Sequence, residues 1–286
     1  MTPTAGTNDG PTLLLLPGLL CDRASWAPVL PFLAPHADCI VPDYSAESSL
    51  EAMAERVLEA VSSGGSESGD RRAAPRSPGP RGGRLAERAS GGATFAIAGQ
   101  SMGGRVALEV LRAAPDRVER LALLDTGYRS RPDGSPGDDE RTRRYELLAL
   151  ARERGMRAMG REWMRAMVHP ARLADAALVD AILDMIGRQT PDRYAGQIDA
   201  LLARPDVTGL LRSIGVPTLV ACGRQDAWSP LAQHEEIAAL IPGSRVAVFE
   251  DCGHMAPMEQ PAAVAAALAE WLGTPVRDAR ERSWAS

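Results

Sequence analysis

Gly99-Gln100-Ser101-Met102-Gly103 sets a serine between glycines, directly after the apolar run Thr94–Ala98 and just before the apolar-periodic stretch Arg105–Ala113. Small residues two before and two after the serine allow a tight, strained strand-to-helix turn, so the hydroxyl stands exposed above the sheet edge. Nucleophilic acyl chemistry requires this arrangement, which also aims the Met102 backbone N–H at the carbonyl under attack. Asp226 and His254 follow in the order Ser…Asp…His, each shortly after a predicted strand. Asp125, which ends an earlier predicted strand, competes with Asp226 for the acid position, and a loop-capping role is the expectation for it.

The elements that must position these residues alternate along the chain. Strands are predicted at Thr12–Leu16, Asp38–Val41, Thr94–Ala98, Val118–Leu124, Thr218–Cys222 and Arg245–Phe249. Core helices are predicted at Trp26–Ala34, Leu50–Val61, Gly104–Ala113, Leu231–Leu240 and Ala262–Leu272. Near-continuous apolar strands separated by helices predict an α/β fold: a mostly parallel sheet with helices on both faces. Two segments break the rhythm. In 62–92, 23 of 31 residues are Gly, Ser, Arg or Pro, with Leu85 the only large aliphatic side chain. Such a stretch buries too little apolar surface to offset its ordering entropy, and a disordered, solvated insertion is expected rather than a basic docking arm. The segment 127–211 carries only helical patterns, at Glu140–Glu153, Gly155–Val168, Ala174–Arg188 and Asp192–Ala203, and is expected to form a helical lid over the strand ends. The core is then 12–126 and 212–273, with tails at 1–11 and 274–286.

Composition narrows the function classes. The net charge of -5 and the scattered basic residues, all of them arginine, give no reason to expect a nucleic-acid partner. No apolar run approaches the roughly 20 residues that span a bilayer, so no membrane partner is expected. Leu13–Cys21 superficially looks like a lipoprotein signal, but no basic residue precedes it, Pro17 and Gly18 interrupt it, and Leu20 is bulky before Cys21. It reads as a buried strand running into a loop, in a cytoplasmic protein. Cys21, Cys39, Cys222 and Cys252 lack a framework spacing, so reduced thiols are expected, and Cys252-Gly253-His254 has no second ligand pair for zinc. Neither metal nor organic cofactor is called for, and the oligomeric state stays open.

Leu16-Pro17-Gly18-Leu19-Leu20, Gly99–Gly104, Cys222-Gly223-Arg224-Gln225-Asp226 and Asp251-Cys252-Gly253-His254-Met255, in that order, resemble the α/β-hydrolase superfamily from about Thr12 to Leu272. The resemblance implies the α/β-hydrolase fold, with Ser101 as nucleophile, His254 as base and Asp226 as acid. Chemistry agrees with that division: a serine hydroxyl needs a base at neutral pH, and an imidazole of pKa about 6.5 can take the proton and return it. A carboxylate on the other ring nitrogen fixes the tautomer and stabilises the imidazolium. The resemblance also places an oxyanion hole at the backbone N–H groups of Leu19 and Met102, with Leu20 as fallback for Leu19. Where the family usually has His-Gly, this chain has Pro17-Gly18, which keeps the backbone donor but removes a side chain that often orders the loop. The family's first two strands are expected to be missing.

Leu19, Leu20 and Met102 suggest an apolar, water-poor site, and Leu20, Trp163 and Met167 are candidates for the substrate pocket, although methionines at helical spacing also serve ordinary packing. His234, beside Glu235 and Glu236, is expected on a solvated helix face, and His169-Pro170 in a structural turn; neither these nor His36 is favoured as base. The expected activity is that of a serine hydrolase cleaving a small-molecule carboxylic ester or lactone through an acyl-enzyme on Ser101. Carbon–carbon bond hydrolysis, acyl transfer and perhydrolysis use the same residues and stay open, as does a non-catalytic binding protein of the same fold.

Overall fold

A computed structural model describes residues 10–62 and 92–276. Six parallel strands, β1 (Thr12–Leu16), β2 (Asp38–Ile40), β3 (Phe95–Gln100), β4 (Val118–Leu124), β5 (Thr218–Gly223) and β6 (Arg245–Phe249), form one sheet in the order β2-β1-β3-β4-β5-β6. The central strands are apolar at nearly every position because both faces are covered. Leu14, Leu16, Ile97, Leu121, Leu123 and Val220 pack to one side against Met53 and Val57 of α2 (Leu50–Ser62) and Val106 and Val110 of α3 (Met102–Ala113). The alternate residues, including Leu13, Leu15, Ala96, Ala98 and Ala221, meet Leu33 of α1 (Leu30–Leu33) and Leu268 and Trp271 of α11 (Pro261–Leu272) on the other side.

After β1 the chain moves outward to β2 and then returns to the opposite side of β1 as β3. That reversal leaves the loops following β1 and β3 side by side, with Leu16 in register with Gly99. Open α/β sheets bind ligands at such a point, outside the carboxyl ends of the strands.

Between β4 and β5 lie α4 (Ser135–Arg154), α5 (Met156–Met164), α6 (Ala176–Gly187), α7 (Pro191–Leu202) and α8 (Thr208–Ser213). Two further helices, α9 (Leu231–Leu240) and α10 (Ala256–Glu259), flank β6. Three features depart from the sequence-based expectation. The helix predicted over Trp26–Ala34 is reduced to Leu30–Leu33, since Pro28 and Pro31 withhold the N–H groups a longer helix needs. The helix predicted to reach Val168 stops at Met164, and the Met167 carbonyl instead accepts the His254 N–H at 2.6 Å. The short helices Thr208–Ser213 and Ala256–Glu259 have too few turns for a periodic pattern to stand out. Of the expected disordered insertion, 63–91 lies outside the described residues, as do 1–9 and 277–286 of the two tails.

Candidate active site

The turn carrying Ser101 is as tight as its glycines imply. Ser101 has φ 56° and ψ -118°, a backbone state a side-chain-bearing residue adopts only when its surroundings impose it. A Cβ on Gly99 would lie 2.2 Å from the Gly103 carbonyl oxygen, and one on Gly103 2.2 Å from that of Leu16. Only glycine lets strand, turn and helix close this far. The turn is pinned by Ser101 N–H donating to Leu124 O at 2.9 Å and by the Thr126 hydroxyl donating to Ser101 O at 2.7 Å.

Three elements then converge. His254 Nε2 lies 2.8 Å from Ser101 Oγ, and its Nδ1 lies 2.8 Å from Asp226 Oδ2. Asp226 Oδ1 accepts from the N–H groups of Trp228 and Ser229, each at 2.8 Å, which holds the carboxylate in one orientation. His254 and Asp226 are buried, while Ser101 is partly exposed at the end of β3. The His254 carbonyl also accepts from Gln100 Nε2 at 2.6 Å, joining His254 to the residue before the serine.

The loop after β1 completes the surroundings. Gly18 packs so closely that a Cβ there would sit 3.2 Å from Ser101 Cβ. Among the described residues nothing accepts from the backbone N–H of Leu19 or of Met102, whereas Leu20 N–H donates to Gln197 Oε1 at 2.9 Å. The fallback donor is thus already engaged, and Leu19 and Met102 are the free pair.

Asp125 lies close by but holds a different group: its Oδ1 accepts from Gly223 N–H at 3.0 Å, and its Oδ2 has no hydrogen-bond partner among the described residues. Complete burial, reinforced by the nearby Asp226, pushes its carboxyl well above the usual carboxylate range. The expectation of a solvated His234 is corrected. Its ring is fully buried, with Nε2 accepting from Thr126 N–H at 3.0 Å and Nδ1 3.2 Å from Pro230 O. The glutamates beside it point elsewhere on the helix, so neighbouring charge was a poor guide to its face. His169 Nδ1 accepts from Ala171 N–H, starting a 3₁₀ turn at Pro170–Ala174.

Sequence reasoning missed two buried polar side chains here. Gln197 occupies an apolar-face position of α7, aligned with Tyr194, Ile198 and Leu201, and that misplaced polarity was the available signal. Glu259, five residues past His254, accepts backbone N–H bonds from Gly253, Met255 and His169. Leu20, Trp163 and Met167 are buried in the same apolar cluster as Leu19 and Met102. A cavity of about 480 Å³ opens on the loop after β1, bounded by Pro17, Gly18, Cys21, Tyr44 and Gln197 and, toward solvent, by the Asp22–Arg188 ion pair. All four cysteines are free, and burial pushes the Cys21 and Cys222 thiols up to about 12, so neither is a thiolate at neutral pH. Among the described residues no three His, Cys, Asp or Glu side chains gather to hold a metal ion, and no helix is long and apolar enough to cross a membrane.

Residues 13–267 match the alpha/beta hydrolase family, and the chain belongs to it. Over 182 residues, 62% of this chain, it is 31% identical to a 2-hydroxy-6-oxononadienedioate/2-hydroxy-6-oxononatrienedioate hydrolase of Cupriavidus pinatubonensis, spanning 61% of that protein's length. It is 27% identical over 176 residues to a pimeloyl-[acyl-carrier protein] methyl ester esterase of Aromatoleum aromaticum, covering 58% of this chain and 68% of that one. Among solved structures, a thermophilic esterase from Thermogutta terrifontis superposes with a TM-score of 0.73 at 27% identity, covering 93% of this chain and 90% of its own. The enol-lactonase from Burkholderia xenovorans LB400 shares the fold, with a TM-score of 0.72 at 22% identity, over 93% of this chain and 92% of that one.

Proposed function

We propose that this chain is a serine hydrolase that cleaves a small carboxylic ester or lactone with an apolar portion, through an acyl-enzyme on Ser101. The observation that carries the reading is the unbroken run Ser101 Oγ–His254 Nε2, His254 Nδ1–Asp226 Oδ2, both links at 2.8 Å. His254 takes the Ser101 proton as Oγ attacks the substrate carbonyl carbon. The Leu19 and Met102 N–H groups receive the developing oxyanion, and such a donor is typically worth about 10²–10³ in turnover. The tetrahedral adduct collapses, the carbonyl–oxygen bond breaks, and His254 gives its proton to the leaving alkoxide. Water, deprotonated by His254, then frees the acid and restores Ser101. Asp226 keeps the ring in the productive tautomer and stabilises the imidazolium at each stage. Leu20, Trp163 and Met167, buried in the apolar cluster that also holds Leu19 and Met102, are the proposed walls of the acyl pocket, and the helices within 127–211 the proposed lid.

A second reading, carbon–carbon bond hydrolysis of a diketone, is favoured by the likeness to the Cupriavidus hydrolase and uses the same residues. A panel of p-nitrophenyl esters of increasing acyl length, with lactones and a vinylogous 1,5-diketone alongside, separates the two. Turnover of esters or lactones with the diketone inert supports the first reading, and the reverse supports the second. Failure of a fluorophosphonate probe to label Ser101 would overturn both in favour of a binding protein.

A further inference from the structure

The turn that carries the Leu19 N–H is held from outside by two side chains, and one of them comes from the helices between β4 and β5. Gly18–Cys21 is closed by Cys21 N–H donating to Gly18 O at 3.1 Å, with Leu20 at φ 65°. Leucine disfavours that left-handed state, so the turn needs support beyond its own sequence. The peptide unit that supplies the Leu19 N–H has Gly18 O on its other side. In a trans peptide these two groups point in opposite directions, so the Cys21–Gly18 bond turns the Leu19 N–H away from Cys21.

The two neighbouring peptide units are fixed as well. Tyr44 Oη donates to Pro17 O at 2.5 Å, and Gln197 Oε1 accepts from Leu20 N–H at 2.9 Å, while Gln197 Nε2 reaches Ser45 O at 3.5 Å. Tyr44 and Gln197 are both buried, at 4% and 1% exposure, so neither bond competes with bulk water.

We infer that Gln197 is a positioning residue for the oxyanion hole: by binding Leu20 N–H it holds the Leu19 N–H in its donating orientation and removes Leu20 as a competing donor. The inference rests on the proposed acyl-enzyme reading for its catalytic consequence, but not for its structural content. A hole ordered in this way exists only while α7 is seated against the loop, so seating of these helices and competence for catalysis are linked.

Gln197→Met keeps the side chain's volume and removes the acceptor; Gln197→Glu keeps an acceptor at the same reach. Hydrogen exchange at the amides of 18–22, kcat and KM on the best ester, and inhibition by a trifluoromethyl ketone (which forms an oxyanion on the serine) are measured together with melting temperature. Gln197→Met is expected to speed exchange at Leu20, to lower kcat by about 10- to 100-fold with little change in KM, and to weaken the ketone by a similar factor. Gln197→Glu is expected to recover part of both losses. Unchanged exchange at Leu20, or a kcat loss that tracks melting temperature while ketone affinity is retained, overturns the assignment. If the wild-type protein hydrolyses neither ester nor lactone, the acyl-enzyme reading falls by itself, and the exchange result still decides whether Gln197 orders the loop.

Discussion

Glu259 grips the main chain on both sides of His254. Its carboxylate accepts from Gly253 N–H at 3.1 Å and from Met255 N–H at 3.0 Å, and its other oxygen takes the His169 N–H at 2.8 Å. The group is buried and has no cationic partner among the described residues. A carboxylate tolerates such a site when several N–H donors converge on it. With Met167 O accepting the His254 N–H, the His254 loop is held between the end of β6 and the segment following α5. Gly253 allows this contact, since a Cβ there would lie 2.6 Å from the His169 nitrogen.

Glu259→Gln therefore tests how far the imidazole depends on its backbone. The amide keeps one acceptor but turns an NH₂ group toward an N–H donor, leaving buried donors unsatisfied at a cost of about 1–3 kcal/mol. Melting temperature should fall accordingly. A loosened base should lower kcat by about tenfold or more while KM moves little, because alignment is lost rather than ground-state binding. Equal kcat values for variant and wild type would show that the His254 loop holds its shape without the carboxylate.

Ser101→Ala and His254→Ala should each remove nearly all turnover on the best substrate while leaving melting temperature close to wild type. In the proposed mechanism the two groups act through one proton transfer across the 2.8 Å Oγ–Nε2 contact. The double variant should then be little worse than either single one, since interdependent catalytic groups are strongly non-additive. Losses that multiply would mean the two residues contribute separately.

The strands and the Ser101 turn were legible because each leaves a local signature, whereas Asp226 and His254 were singled out by their order after predicted strands and by the resemblance. Unbroken apolar runs mark strands buried on both faces, and the glycines around Ser101 mark a turn no other residue can make. The supporting polar contacts were not. Gln197 meets Leu20 across 177 positions and Thr126 meets His234 across 108, so neither partner can be recognised until the fold brings them together. His234 shows the limit most directly. The two glutamates that follow it predicted a solvated face, but a helix turns about 100° per residue and adjacent positions need not share an environment. The early stop of α5 at Met164 is likewise a tertiary effect, set by a carbonyl that binds the His254 backbone.

His234 also carries a pH consequence. Burial lowers its pKa below the ordinary histidine value, with Asp226 opposing and His254 reinforcing that shift more weakly. The neutral ring accepts the Thr126 N–H at Nε2, and a protonated ring would set N–H against N–H. A histidine whose folded pKa is depressed binds fewer protons folded than unfolded below about pH 6.5, so stability falls as pH drops through that range. Gln at this position offers an acceptor that does not titrate. The drop in melting temperature between about pH 6.5 and 5 should be smaller in His234→Gln than in wild type. Parallel pH curves for the two proteins would show that the ring is not the group responsible.

Asp226 and Asp125 end adjacent strands of one sheet, and their asparagine variants should separate their roles. Asp226 reaches His254 Nδ1 at 2.8 Å, so Asp226→Asn keeps the shape yet favours the wrong ring tautomer, a change that can cost about 10⁴ in turnover. Asp125 instead caps Gly223 N–H, and an amide oxygen can do the same. Its φ of 47° is also a conformation that asparagine tolerates. Because burial and Asp226 raise its pKa, folded Asp125 binds more protons than the unfolded chain above about pH 4, and its contribution to stability declines as pH rises. Asparagine has no such proton to lose. Asp125→Asn should therefore keep at least roughly a tenth of wild-type activity, and its melting temperature relative to wild type should improve from pH 5 to pH 8. Activity and thermal unfolding of both variants across that range check the pair. A silent Asp125→Asn beside an active Asp226→Asn would move the catalytic acid to the earlier strand, whatever the 2.8 Å contact implies.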